Sequence, residues 1–470
     1  MLIDRKAPRR IAQAIMSSLK GGVVPRVGLP YITVGREKEI EAFLSDEEII
    51  AEGGASFRFI VGKYGSGKSF LLQTIRNYAL DKNFVVVDAD LSPERRLQGT
   101  HGQGLATYKE LIKNMSTKTR PEGGALNLIL DRWINQVERE VIEKNEINLS
   151  SSVTGAVQAE SDSFAGEGGI KSRVDGESSI HDLVNKEIRN IIFSLNEMVH
   201  GFDFAKLLTI YYEAYINGDD ESKAKVIKWF RGEYTTKTEA KQDIGVNIII
   251  TDDDWYEYIK IFAAFLRKAG YSGLYILIDE LVNLYKITNS ITRQNNYEKM
   301  LAMYNDAMQG KAQYMGIIMC GTPECMEDKR RGIFSYEALR SRLGSGRFSG
   351  DHADLLAPVI RLKALSYEEM LVLTEKLSAL HADLYNYDQK LTDDDLVYFL
   401  KAEYERIGAS QLITPREVIR DFIELLDILY QEPGTQLMEL LSSGGFRFGD
   451  SLAVTDSADT VSEEYAEFTI

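Results

Sequence analysis

This chain has few cysteines, fewer basic than acidic residues and no long apolar runs, and each of these features argues against a class of protein. Cys320 and Cys325 are the only cysteines in 470 residues. Neither a disulfide framework nor a cysteine-rich metal site is therefore expected, and the protein is expected in a reducing compartment. No apolar run approaches the roughly 18 residues that cross a bilayer, and the N-terminus has no signal-peptide core. These absences predict a cytoplasmic protein with no membrane contact.

The balance of charge is acidic. Lys and Arg number 55 against 71 Asp and Glu, which gives a net charge of −16. This balance disfavours a protein that wraps nucleic acid over most of its surface, although a local basic groove remains compatible with it. Apolar residues make up 44% of the chain and aromatic residues 10%, which is ample material for about two to four compact modules.

One glycine-rich stretch has the spacing of a phosphate loop: a glycine, four free positions and then Gly-Lys-Ser. A mostly apolar run at 57–61 precedes it and apolar residues at helical spacing follow it, so a strand, a loop and a helix are predicted in that order. Glycines let such a loop turn its N–H groups inward around a polyphosphate. The alternative is a chance glycine-rich turn. The predicted nucleotide-binding residues are Gly62, Tyr64, Gly65, Ser66, Gly67, Lys68, Ser69 and Phe70.

An apolar strand that ends in two acids forms the second half of the predicted site. Residues 274–278 are apolar, and Asp279 and Glu280 follow them directly. At the carboxyl end of a buried strand, Asp279 is expected to hold Mg²⁺ together with the Ser69 hydroxyl, and Glu280 to polarise the attacking water as general base. The stretch Asp88-Ala89-Asp90 also follows a predicted strand and remains an alternative for the metal role.

Two further residues are candidates for sensing the γ-phosphate. Thr322 follows the strand predicted at 314–319, so it is expected between neighbouring strand ends, where it would orient the water or sense the phosphate. The alternative is a turn residue before a proline. Arg416 opens a helix predicted to start after Thr414, from which it would reach back to the γ-phosphate. The alternative is a helix-start arginine in solvent.

Basic residues concentrate between positions 329 and 347, where Glu337 is the only acid. A charge run is commonly a solvated surface, and a phosphate-contacting nucleic-acid patch is a second interpretation. The third is an arginine finger, which stabilises transition-state charge on a neighbour's nucleotide. Arg340 and Arg342 fit the third interpretation because they end a predicted helix just before a glycine. The cluster comprises Lys329, Arg330, Arg331, Arg340, Arg342 and Arg347.

Strands alternate with helices on both sides of a long interval, which indicates a three-layer α/β fold with a parallel sheet and a large insertion. The expected segments are an N-terminal helical segment at 1–50, the α/β core at 51–90 and 269–365, a mainly helical insertion at 91–268 with a flexible loop near 147–177, a helical lid at 366–432 and an acidic tail at 433–470.

These motifs together resemble the AAA+ ATPases, particularly their initiator-like branch, over about residues 20–90 and 270–432. The stretch Val34-Gly35-Arg36-Glu37 resembles the motif before that core. The resemblance implies that Gly35 and Arg36 pack near the adenine and makes this stretch, at the end of the N-terminal segment, the adenine-side motif. Ser341-Arg342-Leu343-Gly344 resembles the Ser-Arg motif that carries the trans-acting arginine, while Thr322 matches sensor 1 and Arg416 matches sensor 2. The resemblance implies ATP and Mg²⁺ as cofactors and a homo-oligomer.

A narrower resemblance is to the ATP-binding proteins of BREX-type phage-defence loci. It depends on residues 22–26, 34–37, 269–274 and 336–343, and on the long helical insertion between the nucleotide motifs. It implies a role in antiviral defence with a helicase-like or other defence-system protein as partner. Initiator proteins continue into a DNA-binding winged helix, for which this chain has no room after the lid, so any DNA contact is expected to be indirect.

The leading hypothesis is an Mg²⁺-dependent AAA+ ATPase that binds and hydrolyses ATP as an oligomer and powers or regulates a DNA-processing defence complex. Two alternatives remain. One is a slow-turnover, ATP-bound switch or scaffold that recruits a helicase or nuclease partner through the insertion. The other is a DNA-stimulated motor that uses the basic cluster.

Overall fold

The computed structural model describes residues 6–155, 171–344, 354–406 and 414–442. The chain divides into two compact units. The smaller contains Met1–Gly35 and Leu365–Ile470, and the larger contains Arg36–Ala364. The segment expected at 1–50 is therefore split after Gly35, because the helix that follows Arg36 packs its apolar side chains against the sheet of the larger unit.

The larger unit is built on a parallel sheet, as the sequence predicts. Its strands are β1 (Ala55–Val61), β2 (Val85–Asp90), β3 (Leu274–Asp279), β4 (Met315–Gly321) and β5 (Val359–Arg361). All neighbouring strands run parallel, in the order β2-β3-β4-β1-β5. Because β4 lies between β3 and β1, the carboxyl ends of these three strands meet at one edge, where ligands of open α/β sheets bind.

Helices make up most of the remaining described structure. Numbered along the chain, they are α1 (Arg9–Lys20), α2 (Glu37–Ala51), α3 (Lys68–Asp81), α4 (Gln103–Lys113), α5 (Leu126–Gly155), α6 (Lys171–Ser194), α7 (Gly201–Asn217), α8 (Asp220–Phe230), α9 (Lys237–Ile244), α10 (Trp255–Lys268), α11 (Val282–Tyr285), α12 (Ser290–Met308), α13 (Pro323–Glu327), α14 (Glu337–Leu343), α15 (Tyr367–Tyr385), α16 (Asp393–Arg406), α17 (Pro415–Gln431) and α18 (Leu437–Ser442). Short 3₁₀ helices span Leu29–Tyr31 and Ile333–Ser335.

Both faces of the sheet are buried, which explains why its strands are near-continuous apolar runs. On one face, strand residues such as Ile60 and Leu277 pack with Phe43 of α2 and Ile75 of α3. On the other face, the strands share a core with α12 and with the helices of residues 91–268. Helices, sheet and helices therefore form three layers, and the inserted helices have no core separate from the sheet.

The start of the insertion also covers the outer edge of the sheet. Val86 of β2 forms an antiparallel bridge with Ser116, and the Asn114 side-chain amide donates to the main-chain oxygen of Asp88 at 2.9 Å. Covering an edge strand satisfies backbone groups that would otherwise be open to pairing with another chain.

The flexible loop expected near 147–177 is helical wherever the structure describes it. Helix α5 continues to Gly155 and α6 begins at Lys171, while residues 156–170 lie outside the described chain. The Ser/Gly-rich composition indicated a loop, but extending a helix costs little once buried turns, here at 129–141, have nucleated it. In the tail expected at 433–470, α18 is helical, and residues 443–470 lie outside the described chain.

The smaller unit packs α1 against α15 and α17. Lys20 of α1 forms an ion pair with Asp427 of α17, and the second carboxylate oxygen of Asp427 lies 3.1 Å from Nε2 of His381 on α15. Both α15 and α17 begin with a capping box, which satisfies first-turn N–H groups. None of the described helices combines the length and apolar character that crossing a bilayer requires.

Candidate nucleotide site

The loop between β1 and α3 has the backbone shape that a phosphate cradle requires. Gly65 and Gly67 have φ values of +77° and +88°, in the left-handed region where other residues are strained. A Cβ at Gly62 would lie 2.3 Å from the hydroxyl of Ser66, which is buried. Gly65 and Gly67 are therefore favoured by their conformation, and a side chain at Gly62 would have to displace that of Ser66.

Lys68 begins α3 and directs its ammonium group back over the loop. Its Nζ donates to the main-chain oxygens of Gly62 at 2.8 Å and of Lys63 at 2.9 Å. In that position the ammonium lies where phosphate oxygens cradled by the loop would meet it. Of the other predicted loop residues, Tyr64 is 66% exposed and Phe70 is half-buried in the first turn of α3.

The two predicted motifs meet at the end of β3. Ser69 Oγ donates to Asp279 Oδ2 at 3.0 Å, and the other carboxylate oxygen of Asp279 accepts from Glu280 N at 2.7 Å. Glu280 is exposed and has a φ of +61°, a left-handed conformation of the kind that is stored at functional sites. The Ser69 hydroxyl, the Asp279 carboxylate and the exposed Glu280 carboxylate thus share one edge of the sheet.

The donor atoms at this edge suit a magnesium ion. The described residues contain no group of three or more His, Cys, Asp or Glu side chains arranged as a metal cage. Mg²⁺ is characteristically held by one or two protein oxygens, with substrate phosphates and waters completing the shell, which is what the Ser69 and Asp279 oxygens would provide. The thiols contribute nothing comparable: Cys320 and Cys325 are both buried, and burial raises the pKa of Cys325 to about 11.

Asp90, which the sequence offered only as a rival for the metal, belongs to the same edge. It ends β2 and pairs in register with Asp279 of β3. Burial raises the pKa of Asp90, and the charges of Asp279, Asp88 and Glu280 raise it further. The Ser69 hydroxyl donates a hydrogen bond to Asp279, so Asp279 is the better candidate for the metal role and Asp90 is its neighbour.

Thr322 directly follows β4, so the strand order places it between the ends of β1 and β3. Backbone hydrogen bonds of 3.1 Å from Gly62 and from Leu281 to the end of β4 hold the three strand ends together. The Thr322 hydroxyl caps α13 by accepting from Cys325 N at 3.4 Å. Because a hydroxyl that accepts one hydrogen bond still has its proton to donate, Thr322 remains able to donate towards a phosphate or a water.

Arg340 and Arg342 both lie exposed on α14, but their guanidinium groups have different partners. Arg340 forms an ion pair with Glu337, one turn earlier on the same helix. Arg342 donates to the main-chain oxygen of Ala338 at 2.8 Å, and the described residues show no carboxylate paired with it. Arg342 is therefore the better candidate for a contact outside its own chain. Arg347 lies outside the described residues.

The residues of the adenine-side motif have structural contacts that the sequence did not reveal. Arg36 is buried and donates to the main-chain oxygen of Ser66 in the phosphate loop. Gly35 has a φ of +66°, and a Cβ there would lie 2.1 Å from a carboxylate oxygen of Glu369. Arg416 is the second residue of α17 in the smaller unit. The roles implied for Gly35 and Arg36 at the adenine, and for Arg416 at the γ-phosphate, stay predictions.

Comparison with known proteins supports the assignment of nucleotide binding. No curated protein matches the chain. The sequence does match one protein family, described as BREX system ATP-binding protein BrxC/D, over residues 7–166 and 165–444. The matched residues include the phosphate loop, Asp279, Glu280 and helices α14 and α17. The chain therefore belongs to the family of BREX system ATP-binding proteins BrxC/D.

Proposed function

We propose that this protein is an Mg²⁺-dependent ATP hydrolase of the AAA+ type that acts as an oligomer within a phage-defence complex. The observation that carries the proposal is the meeting of Ser69 and Asp279 across 3.0 Å, with the exposed Glu280 directly beside them. Nucleotide binding without hydrolysis would need only the phosphate loop and Lys68. An exposed carboxylate next to the metal ligands adds what hydrolysis needs, which is a base for water.

In this proposal each side chain has one task. The loop N–H groups and Lys68 hold the β- and γ-phosphates, and Ser69 and Asp279 hold Mg²⁺, which when bound neutralises charge on the phosphates. Glu280 takes a proton from the attacking water while the oxygen of that water forms a bond to the γ-phosphorus. The bond from that phosphorus to the bridging oxygen of ADP breaks, so ADP and inorganic phosphate leave.

Oligomerisation enters the proposal through Arg342. Its guanidinium lies at the exposed end of α14 and is paired with no carboxylate in the described chain, whereas that of Arg340 is paired with Glu337. An arginine with five donors suits the oxygens of a transferring phosphoryl group on a neighbouring subunit. Thr322 and Arg416 would sense the γ-phosphate within the same chain, with cytoplasmic helicase-like or nuclease partners recruited elsewhere.

A slow-turnover switch or scaffold remains the second candidate, and one observation favours it. The inserted helices α4 to α10 share the core of the sheet, so their outer surface is available to a partner on a packed support. A DNA-stimulated motor has weaker support, because one member of the basic cluster, Arg331, stacks 5.4 Å from the Tyr285 ring instead of extending into solvent.

Steady-state release of phosphate from MgATP, with and without duplex DNA and over a series of salt concentrations, separates the three functions. The hydrolase predicts multiple turnovers without DNA, and chelation of Mg²⁺ by EDTA should abolish them. A motor would need DNA, and its stimulation would weaken as salt rises. Less than one turnover per bound ATP over hours, under all conditions, would replace the proposal with the switch.

A further inference from the structure

Arg36 is buried beside the phosphate loop, yet the catalytic roles above do not use it. The residue is only 6% exposed. One terminal nitrogen, Nη2, donates to the main-chain oxygens of Ser66 at 2.9 Å and of Lys363 at 2.8 Å, and Nη1 lies 3.4 Å from a carboxylate oxygen of Glu39. Removing a guanidinium from water is costly, so these hydrogen bonds must offset a large desolvation penalty.

The bond to Ser66 determines the direction of one peptide group in the loop. A trans peptide holds its C=O and its N–H on opposite sides. Because the Ser66 carbonyl points at Arg36, the N–H of Gly67 in the same peptide plane points away from Arg36. Gly67 precedes the first residue of α3, where backbone N–H groups have no partner within the helix and are available to an anion.

We propose that Arg36 is a positioning residue for polyphosphate binding: it holds the Ser66 carbonyl on the outer side of the loop and thereby aims the Gly67 N–H at the phosphates. The inference rests on the proposed nucleotide site and names what orients its backbone. Arg36 acts through the peptide and need not touch the nucleotide.

The second carbonyl explains how Arg36 itself is held. Lys363 lies just beyond β5, two positions after Arg361, so one Nη2 group joins the phosphate loop to the segment that leaves the sheet. Gly67 is also close, since a Cβ there would lie 3.9 Å from Nη2. A planar guanidinium presents its donors in a fixed geometry, whereas a lysine ammonium on a flexible stem does not.

The test measures binding of MgADP by titration calorimetry, which is independent of hydrolysis. Arg36→Met removes the donors and keeps an unbranched buried side chain, and Arg36→Lys restores a cation. The matched control is Arg76→Met, because Arg76 is also 6% exposed and also donates to a main-chain oxygen, that of Pro121. We expect Arg36→Met to weaken MgADP binding at least about tenfold and Arg36→Lys to recover part of that loss. Arg76→Met should melt at a lower temperature but bind within about twofold of wild type.

A purely structural role for Arg36 predicts a different pattern, in which Arg36→Met melts earlier but the folded protein binds MgADP as tightly as wild type. That result would overturn the proposal. If Arg36→Met does not fold, Arg36→Lys decides: binding about threefold weaker or more supports the positioning role, and wild-type affinity overturns it. Failure of the proposed hydrolase is a separate outcome, since it would leave wild type binding MgADP in an Arg36-dependent way without turning over ATP.

Discussion

The hydroxyl of Ser69 lies 3.0 Å from the carboxylate of Asp279, although the two residues are 210 positions apart in the chain. The sheet makes this meeting possible, because Ser69 is in the first turn of the helix that follows β1 and Asp279 ends β3, with only β4 between the two strands. The described helices of the insertion share the core of the sheet, and Ser69 and Glu280 remain exposed at the strand ends.

Removing the oxygen donor of either Ser69 or Asp279 should weaken the binding of Mg²⁺ that supports ATP turnover. Ser69→Ala and Asp279→Asn should each raise the Mg²⁺ concentration for half-maximal ATP turnover at least about tenfold, since the metal would lose a protein ligand. Ser69→Thr keeps the hydroxyl and is the control. A wild-type magnesium dependence in Asp279→Asn would leave Asp90 as the ligand instead.

Thr322 should matter for turnover more than for stability. Thr322→Val removes the hydroxyl that caps α13, so it should lower the free energy of unfolding by about 1 kcal/mol, and it should slow ATP turnover about tenfold because the hydroxyl proton no longer orients water or phosphate. Thr322→Ser should restore both, as measured by chemical denaturation and phosphate release. A Val variant with reduced stability and full turnover would limit Thr322 to its capping role.

Arg342 should act on a neighbouring subunit. Lys68→Ala and Arg342→Ala subunits should each be nearly inactive alone, and mixing them should restore ATP turnover, because an intact loop on one subunit then meets an intact arginine on the other. The control variant is Arg340→Ala. Because Arg340 is paired with Glu337, Arg340→Ala alone should lose much less ATP turnover than Arg342→Ala alone. Mixtures that stay inactive at every ratio would contradict the trans role.

His381 should make the smaller unit sensitive to acid. Burial lowers its pKa, while the hydrogen bond to Asp427 opposes that shift and the Lys20 charge adds to it. A histidine with a lowered folded-state pKa binds more protons when unfolded, so the free energy of unfolding falls as pH drops through about 6.5. Hydrogen exchange of α15 and α17 amides at pH 7.5 and 5.5, corrected for intrinsic rates, should show this loss in wild type and a smaller one in His381→Gln.

Local chemistry allowed much of the fold and site to be predicted. The glycines at 62, 65 and 67, the apolar strand before Asp279 and the helix start after Thr414 all depend on near neighbours, so their residue types indicate their structures directly. The parallel sheet was predictable because apolar strands alternate with helices along the chain.

Contacts that depend on register or on distant backbone could not be predicted from such patterns. Asp90 became a neighbour of Asp279 only through the pairing of β2 with β3, and Arg36 met the main-chain oxygens of Ser66 and Lys363, which carry no signature in the sequence. The described residues 147–155 and 171–177, where a loop is expected, are helical because they extend helices whose packed turns depend on the whole core for their burial.

The most direct test of the central claim compares binding and hydrolysis of ATP by Glu280→Gln. We predict that this variant binds MgATP with wild-type affinity and hydrolyses it about 100-fold more slowly or worse, because a glutamine amide cannot accept the proton of the attacking water. Glu324→Gln, an exposed acid in the helix that follows the adjacent strand β4, should hydrolyse ATP normally. Turnover by Glu280→Gln at the wild-type rate would contradict the assignment of this site as a hydrolase built on Ser69, Asp279 and Glu280.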